Sequence, residues 1–135
     1  MKIVNVTPIQ IVERIEPLLA LWQNKLGFEK LAEVAHEGQL GFVLLARGQR
    51  QVMLQSRRSL ADDLPAVAAR APSAVLYLDV ESLDEALPDL RGLEVLAGPR
   101  TTFYGAREVF VLDPAGQVLG FAEHAPAQSS TPGAP

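Results

Sequence analysis

Residues 3–12 read IVNVTPIQIV and residues 73–80 read SAVLYLDV. Both runs are apolar and rich in β-branched residues, which is typical of strands. Each is followed by apolar residues at helical spacing, in residues 16–26 and 82–90, and then by three more strand-like runs. Because the second half of the chain repeats the order of the first, the sequence predicts two βαβββ modules with a hollow between them.

Turn residues separate the remaining strands. Glu37-Gly38 and Arg47-Gly48 mark short connections, and residues 113–116, DPAG, fit a type I turn. We therefore predict one domain over residues 1–124, with module 1 at about 1–56, a linker at 57–72 that holds one helical turn near 60–67, and module 2 at about 73–124. Residues 125–135 are poor in apolar side chains, so we expect a disordered tail there.

The composition excludes several classes of protein. A chain of 135 residues can bury a sizeable core, and the lack of cysteine rules out disulfides and thiolate chemistry. With a net charge of −4 and no basic cluster longer than Arg57-Arg58, nucleic-acid binding is not expected. No apolar run reaches the roughly 18 residues of a membrane span, and the first residues lack the core of a signal peptide. We expect a cytoplasmic protein that binds no membrane.

Several short motifs together carry a family resemblance. They are Thr7-Pro8, Leu21-Trp22, Leu26-Gly27-Phe28, Tyr104-Gly105 and residues 109–116, VFVLDPAG. In this order the chain resembles the glyoxalase/bleomycin resistance/extradiol dioxygenase family, the vicinal oxygen chelate superfamily, over residues 3–124. The resemblance implies an α+β fold in which two βαβββ modules form a curved mixed sheet around a cleft, with helices on the convex side. It also implies a homodimer.

Enzymes of that family hold a divalent metal with His, Glu or Gln side chains on equivalent strands. Carried over residue by residue, their ligand positions fall on Thr7, Met53 or Leu54, Val75 and Gly120. None of these side chains offers a carboxylate or an imidazole. We therefore predict no metal and no other cofactor, and we interpret the two histidines, His36 and His124, as solvated surface residues.

Strand alternation indicates which side chains face the cleft. If Val52 and Leu54 pack beneath a helix, Met53 and Gln55 face the other way, and Gly120 is expected to leave empty space for an organic ligand. A mostly apolar lining with a few polar groups is usual for a small-molecule site. The candidate ligand-binding residues are Thr7, Ile9, Trp22, Met53, Gln55, Tyr77, Tyr104 and Arg107.

Some of these candidates have a second interpretation. Trp22 lies on the apolar stripe of the first helix, where core packing competes with ligand stacking. Arg107 and Glu108 are adjacent and opposite in charge, which favours a surface ion pair. Alternatively, Arg107 or Tyr104 closes the cleft over an anionic or aromatic ligand.

Three functions are compatible with this sequence. The first is a metal-free binding protein that sequesters an antibiotic or another toxic small molecule. The second is a glyoxalase-like lyase, isomerase or dioxygenase acting on a small carbonyl or related substrate, with Asp79, Glu108 or Tyr104 in acid–base roles. The third is a stress-linked or regulatory protein whose dimer surface matters. We favour binding over catalysis and assign no catalytic residue.

Overall fold

Eight strands form one curved open sheet in the computed structural model, which describes residues 1–125. Their order across the sheet is β2-β3-β4-β1-β5-β8-β7-β6. The strands are β1 Ile3–Val12, β2 Glu29–His36, β3 Gln39–Arg47, β4 Arg50–Ser56, β5 Ala74–Val80, β6 Val95–Thr101, β7 Arg107–Leu112 and β8 Val118–Glu123.

The two halves of the sheet are built alike. β1 pairs with β4 in parallel, and β5 pairs with β8 in the same way, while antiparallel pairing of β1 with β5 joins the halves. In this register Thr7 lies opposite Tyr77, and Tyr77 lies opposite Gly120. The predicted α+β fold of two modules around a curved mixed sheet is confirmed.

Four short helices accompany the sheet within residues 1–125. In α1, a 3₁₀ turn at Glu16–Leu18 leads into a π-helical segment at Ala20–Lys25, so the first helix is less regular than its sequence pattern predicts. The linker contains α2, Arg57–Asp63, and α3, Pro65–Ala68, and α4 combines Leu83–Ala86 with a 3₁₀ turn at Leu87–Leu90.

The convex face of the sheet carries α1 and α4. Beneath α1, Ile15 packs with Leu45, Leu54 and their neighbours, and α4 covers Val109 and Phe121 in a second cluster. These residues alternate along each strand with side chains that point to the concave face, as the period of two in a strand requires. Both helices therefore lie on the predicted side of the sheet.

The linker is more structured than its sequence indicates. We predicted one helical turn, but α2 and α3 both form, and Leu60, Leu64 and Val67 pack on the concave face against residues such as Ile9. Leu60 lies on α2, Val67 lies on α3 and Leu64 lies between the two helices, and all three are buried. The Oγ of Ser56 also accepts a hydrogen bond from the Ser59 N–H and caps the start of α2. The linker thus lies against the concave face of the sheet.

The predicted disordered tail, residues 125–135, lies outside the described residues apart from Ala125. No helix within residues 1–125 is long and apolar enough to cross a membrane.

Candidate functional site

A cleft of about 730 Å³ lies on the concave side of the sheet. It has an apolar wall on β1–β4 and a polar wall on β5–β8, with the end of α2 between them. The apolar wall consists of Ile9, Ala32, Val34, Phe42, Leu44 and Met53, and the polar wall includes Tyr77, Arg100, Tyr104, Glu108 and His124.

Strand pairing builds the apolar wall. Met53 on β4 lies between Ile9 on β1 and Leu44 on β3, so three apolar side chains stand side by side on one face. Gln55 follows two residues later on the same face, opposite Phe42, and its Nε2 donates to Ser59 Oγ on α2 at 3.3 Å. The row of apolar side chains therefore ends at the polar amide of Gln55.

Glu108 is the centre of the polar wall. Its side chain is only 2% exposed, and four hydrogen bonds hold its two oxygens. Oε1 accepts from Arg100 Nε at 3.1 Å and Nη2 at 2.7 Å. Oε2 accepts from the Tyr77 hydroxyl at 2.5 Å and from the Tyr104 hydroxyl at 3.3 Å. A buried carboxylate needs such partners to offset the loss of water.

Arg100 joins this carboxylate to the linker. Besides Glu108, its Nη1 donates to Asp63 Oδ1 at 3.0 Å and to the Asp63 carbonyl at 3.4 Å, and Nη2 donates to Oδ2 at 2.8 Å. The hydrogen bonds that Arg100 donates to Asp63 raise the pKa of Arg100. All five N–H donors of the guanidinium are therefore engaged within the protein.

The two tyrosines act as hydrogen-bond donors. Burial, followed by the nearby negative charge of Glu108, raises the pKa of both Tyr77 and Tyr104. Both hydroxyls therefore keep their protons at neutral pH.

Each histidine lies beside a carboxylate and lines the cleft; His124 is exposed, as we predicted, whereas His36 is only partly exposed. His124 Nε2 is 3.0 Å from Asp79 Oδ1, and His36 Nε2 is 2.7 Å from Asp62 Oδ2. The His124 ring stacks on Tyr104, with ring centroids 6.3 Å apart. Its hydrogen bond to Asp79 raises the pKa of His124.

The predicted ligand-binding residues divide into two groups. Five of them line the cleft, namely Ile9, Met53, Gln55, Tyr77 and Tyr104, and the other three, Thr7, Trp22 and Arg107, do not. Thr7 is buried opposite Tyr77, and its Oγ1 has no hydrogen-bond partner among residues 1–125. The cleft therefore opens beside Thr7 without reaching its side chain.

Trp22 and Arg107 lie on the convex side. Trp22 lies on α1 and packs into the cluster between this helix and the sheet, with its ring edge-to-face against Phe28 at a centroid distance of 5.0 Å. Arg107 Nη1 is 3.3 Å from Asp84 Oδ1 on α4. Since neighbouring strand residues point to opposite faces, Arg107 faces outward while Glu108 faces the cleft, and the expected Arg107–Glu108 surface pair is wrong.

The space beside Gly120 is filled, which corrects our expectation of an empty volume. A Cβ atom on Gly120 would lie 2.6 Å from Phe110 Cε2 and 3.2 Å from Tyr77 Cδ1. The rings of Phe110 and Tyr77 thus occupy the region that a longer side chain at position 120 would enter. The ligand space lies elsewhere, between the apolar and polar walls.

The side chains at the family's metal-ligand positions are not suited to holding a metal. The four carried-over positions supply one hydroxyl, on Thr7, and no carboxylate or imidazole, and Gly120 has no room for a longer side chain. Elsewhere in residues 1–125, His36, Glu37 and Asp62 lie close enough to share a cation. However, His36 is bound to Asp62, and Glu37 pairs with Arg58 at 3.3 Å.

Sequence reasoning did not include Glu108, Arg100 or Asp63 among the ligand-binding residues, although it named Glu108 as a possible acid or base. The alternation along β7 could have assigned Glu108 to the cleft, because Glu108, Phe110 and Leu112 point to one face of the strand while Val109 and Val111 point to the other. Arg100 and Asp63 carried no such signal, since 37 residues separate them and only the packing of the linker brings them together.

The chain was compared with known families and structures. The family model of the Glyoxalase/Bleomycin resistance protein/Dioxygenase superfamily matches residues 2–121. No curated protein sequence matches the chain.

Several solved structures share the fold. Methylmalonyl-CoA epimerase from Mycobacterium tuberculosis is 20% identical with a TM-score of 0.67, and the match covers 96% of this chain and 91% of that one. A superfamily member from Vibrio splendidus 12B01 is 18% identical with a TM-score of 0.61, covering 88% and 97%. A hypothetical protein from Bacillus halodurans C-125 is 19% identical with a TM-score of 0.67, covering 89% and 93%. At these identities the likeness concerns the fold alone.

Proposed function

Because the chain belongs to the Glyoxalase/Bleomycin resistance protein/Dioxygenase superfamily, we propose that it binds a small, partly apolar molecule in the cleft between its two modules. The cleft itself is the observation that carries this proposal. Its volume of about 730 Å³ and its pairing of an apolar wall with a polar one are usual for small-molecule sites. The proposed role is metal-free sequestration of an antibiotic or another toxic compound.

The polar wall supports binding over catalysis. A general base must be free to take a proton from the substrate. Both oxygens of Glu108 already accept hydrogen bonds, and all N–H donors of Arg100 are engaged. The hydrogen-bonded group around Glu108 is therefore suited to keeping one fixed arrangement rather than to exchanging protons with a substrate. The donor set at the family's metal positions supports the same conclusion.

A thermal-shift screen of antibiotics and metabolites tests this proposal. A ligand that binds only the folded state at 100 times its Kd adds about 2.7 kcal/mol of stability and raises the Tm. Ala32→Trp is the matched control, because it places a large ring on the apolar wall at an exposed position and should abolish the shift. The absence of any stabilising compound, or hits that stabilise the variant equally, would count against the proposal.

Gln55→Leu should weaken binding of such a ligand by about 1–3 kcal/mol, since a polar group of the ligand loses its partner. Titration calorimetry on the wild type and the variant measures the change. The control is Gln51→Leu, the same substitution on the same strand but outside the cleft. Unchanged affinity together with a large drop in Tm would show that Gln55 serves the fold and not the ligand.

We also propose that the protein forms a homodimer. Val6 on β1 and Leu76 on β5 are exposed on the convex face in the centre of the sheet, in diagonal positions, since Val6 lies opposite Leu78 and Leu76 lies opposite Pro8. Exposed apolar patches of this kind mark interaction sites.

Light scattering should therefore give twice the mass of one chain, and Val6→Lys should reduce it to one chain because a charge enters the interface. Leu31→Lys, at an exposed position on the edge strand β2, serves as the control and should leave the mass unchanged. A single-chain mass for the wild type at high micromolar concentration, or a dimer that survives Val6→Lys, would contradict this assembly.

A further inference from the structure

We infer that the cleft selects an organic cation, a molecule with an apolar or aromatic body that carries a protonated amine. This inference rests on the proposed binding function and names the class of ligand that the same cleft accepts.

The charges around the cleft are unbalanced. Three carboxylates line it, those of Asp62, Asp63 and Glu108, and a fourth, on Asp79, lies behind His124. Among the described residues of the lining, the only arginine or lysine is Arg100. Even with both histidines protonated, these four carboxylates outnumber the three positive groups, Arg100, His36 and His124. Such a wall attracts cations and repels anions.

The positive groups of the cleft have no free donors for an anion. Each of the five N–H groups of Arg100 already donates to Asp63 or Glu108. His36 and His124 each lie against an aspartate. An acid or a phosphate ester would have to displace these carboxylates from their donors, and their negative charge would repel it. Both effects disfavour binding of an anionic ligand.

The negative groups, in contrast, keep free acceptors. The side chains of Asp62 and Asp63 are 65% and 51% exposed. Each aspartate oxygen that is engaged accepts a single side-chain hydrogen bond, whereas a carboxylate offers about four acceptor positions. An ammonium group can therefore add hydrogen bonds at the end of α2 without breaking those already made.

Aromatic side chains provide the second half of the site. Phe103, at the mouth of the cleft, is 87% exposed and packs edge-on against Tyr104 at 5.1 Å. An exposed phenyl ring gains stability when an apolar molecule covers it. A cation over an aromatic face gains a further attraction. An amine attached to a planar apolar body could cover the aromatic side chains at the mouth and bind the carboxylates at the end of α2.

Three probes that share one ring system test the inference: 2-naphthylmethylamine, 2-naphthylmethanol and 2-naphthoic acid. At neutral pH and low salt, calorimetry should show that the amine binds about tenfold more tightly than the alcohol, since only the amine makes charge-assisted hydrogen bonds to the carboxylates. The acid should bind most weakly. Added salt should weaken only the binding of the amine.

The outcomes separate this inference from the proposed function. If the alcohol or the acid binds as tightly as the amine, the cation preference is overturned while small-molecule binding stands. If none of the three binds, the cation preference is again overturned, and the wider screen with its Ala32→Trp control decides the proposed function.

Two variants test whether the amine binds at the end of α2. Asp62→Asn removes one carboxylate at the end of α2 and should lower the affinity for the amine several-fold while leaving that for the alcohol unchanged. The control, Asp84→Asn, removes an exposed carboxylate on the convex face and should change neither. Equal effects of the two substitutions, or no effect of Asp62→Asn on the amine, would overturn the assignment of the amine to the end of α2.

Discussion

Arg100→Met is expected to lower the free energy of unfolding by about 3–5 kcal/mol, because it leaves the carboxylate of Glu108 buried without its positive partner. Urea denaturation measures this loss. It is the largest effect that we predict for a single substitution, since Arg100 holds Glu108, and through Asp63 it also holds the linker.

The double variant Arg100→Met/Glu108→Gln should recover much of the lost stability, because it removes both the positive and the negative charge. Arg107→Met serves as the control and should cost less than about 1 kcal/mol, since its ion pair with Asp84 is exposed. If Arg100→Met and Arg107→Met prove equally mild, Glu108 is not the buried, arginine-dependent centre of the polar wall.

Gly120→Ala should destabilise the protein by about 1–3 kcal/mol, the usual cost of adding a methyl group to a packed core. The added Cβ would lie 2.6 Å from Phe110 Cε2, so the ring or the strand must shift. Thermal or urea denaturation measures the change. In a Phe110→Leu background the same substitution should cost less, because the obstructing ring is gone. A Gly120→Ala variant as stable as the wild type would mean that the space beside Gly120 is empty.

Much of the fold follows from patterns that the sequence displays locally. The repeated order of strands and helices predicts the two modules, and the period of two along β4 and β5 places Met53, Gln55 and Tyr77 on the side that lines the cleft. These predictions succeed because a strand with one face against a helix has no freedom to turn over.

The missed features depend on contacts between distant segments. Gly120 has no side chain, and the sequence alone does not show that the rings of Phe110 and Tyr77 fill its surroundings. Asp63 belongs to a polar stretch typical of a solvated linker, and it meets Arg100 only because Leu60, Leu64 and Val67 pack α2 and α3 onto the sheet. Neither contact has a local signal.

Arg107 and Glu108 were misinterpreted for a different reason. Adjacent residues of opposite charge suggest an ion pair, but in a strand they point to opposite faces. Glu108 therefore turns to the cleft and pairs with Arg100, and Arg107 turns to α4 and pairs with Asp84. Once β7 is assigned as a strand, alternation is the stronger rule.

The chain has two methionines, and they offer the most direct test of ligand binding in the cleft. Met53 lines the cleft, whereas Met1 lies outside it and its amino group contacts Asp89. With methionine methyl groups labelled with ¹³C, a saturating amount of the best ligand from the thermal-shift screen should move the Met53 signal and leave the Met1 signal in place. A ligand that stabilises the protein while the Met53 signal stays unchanged would contradict binding between the modules.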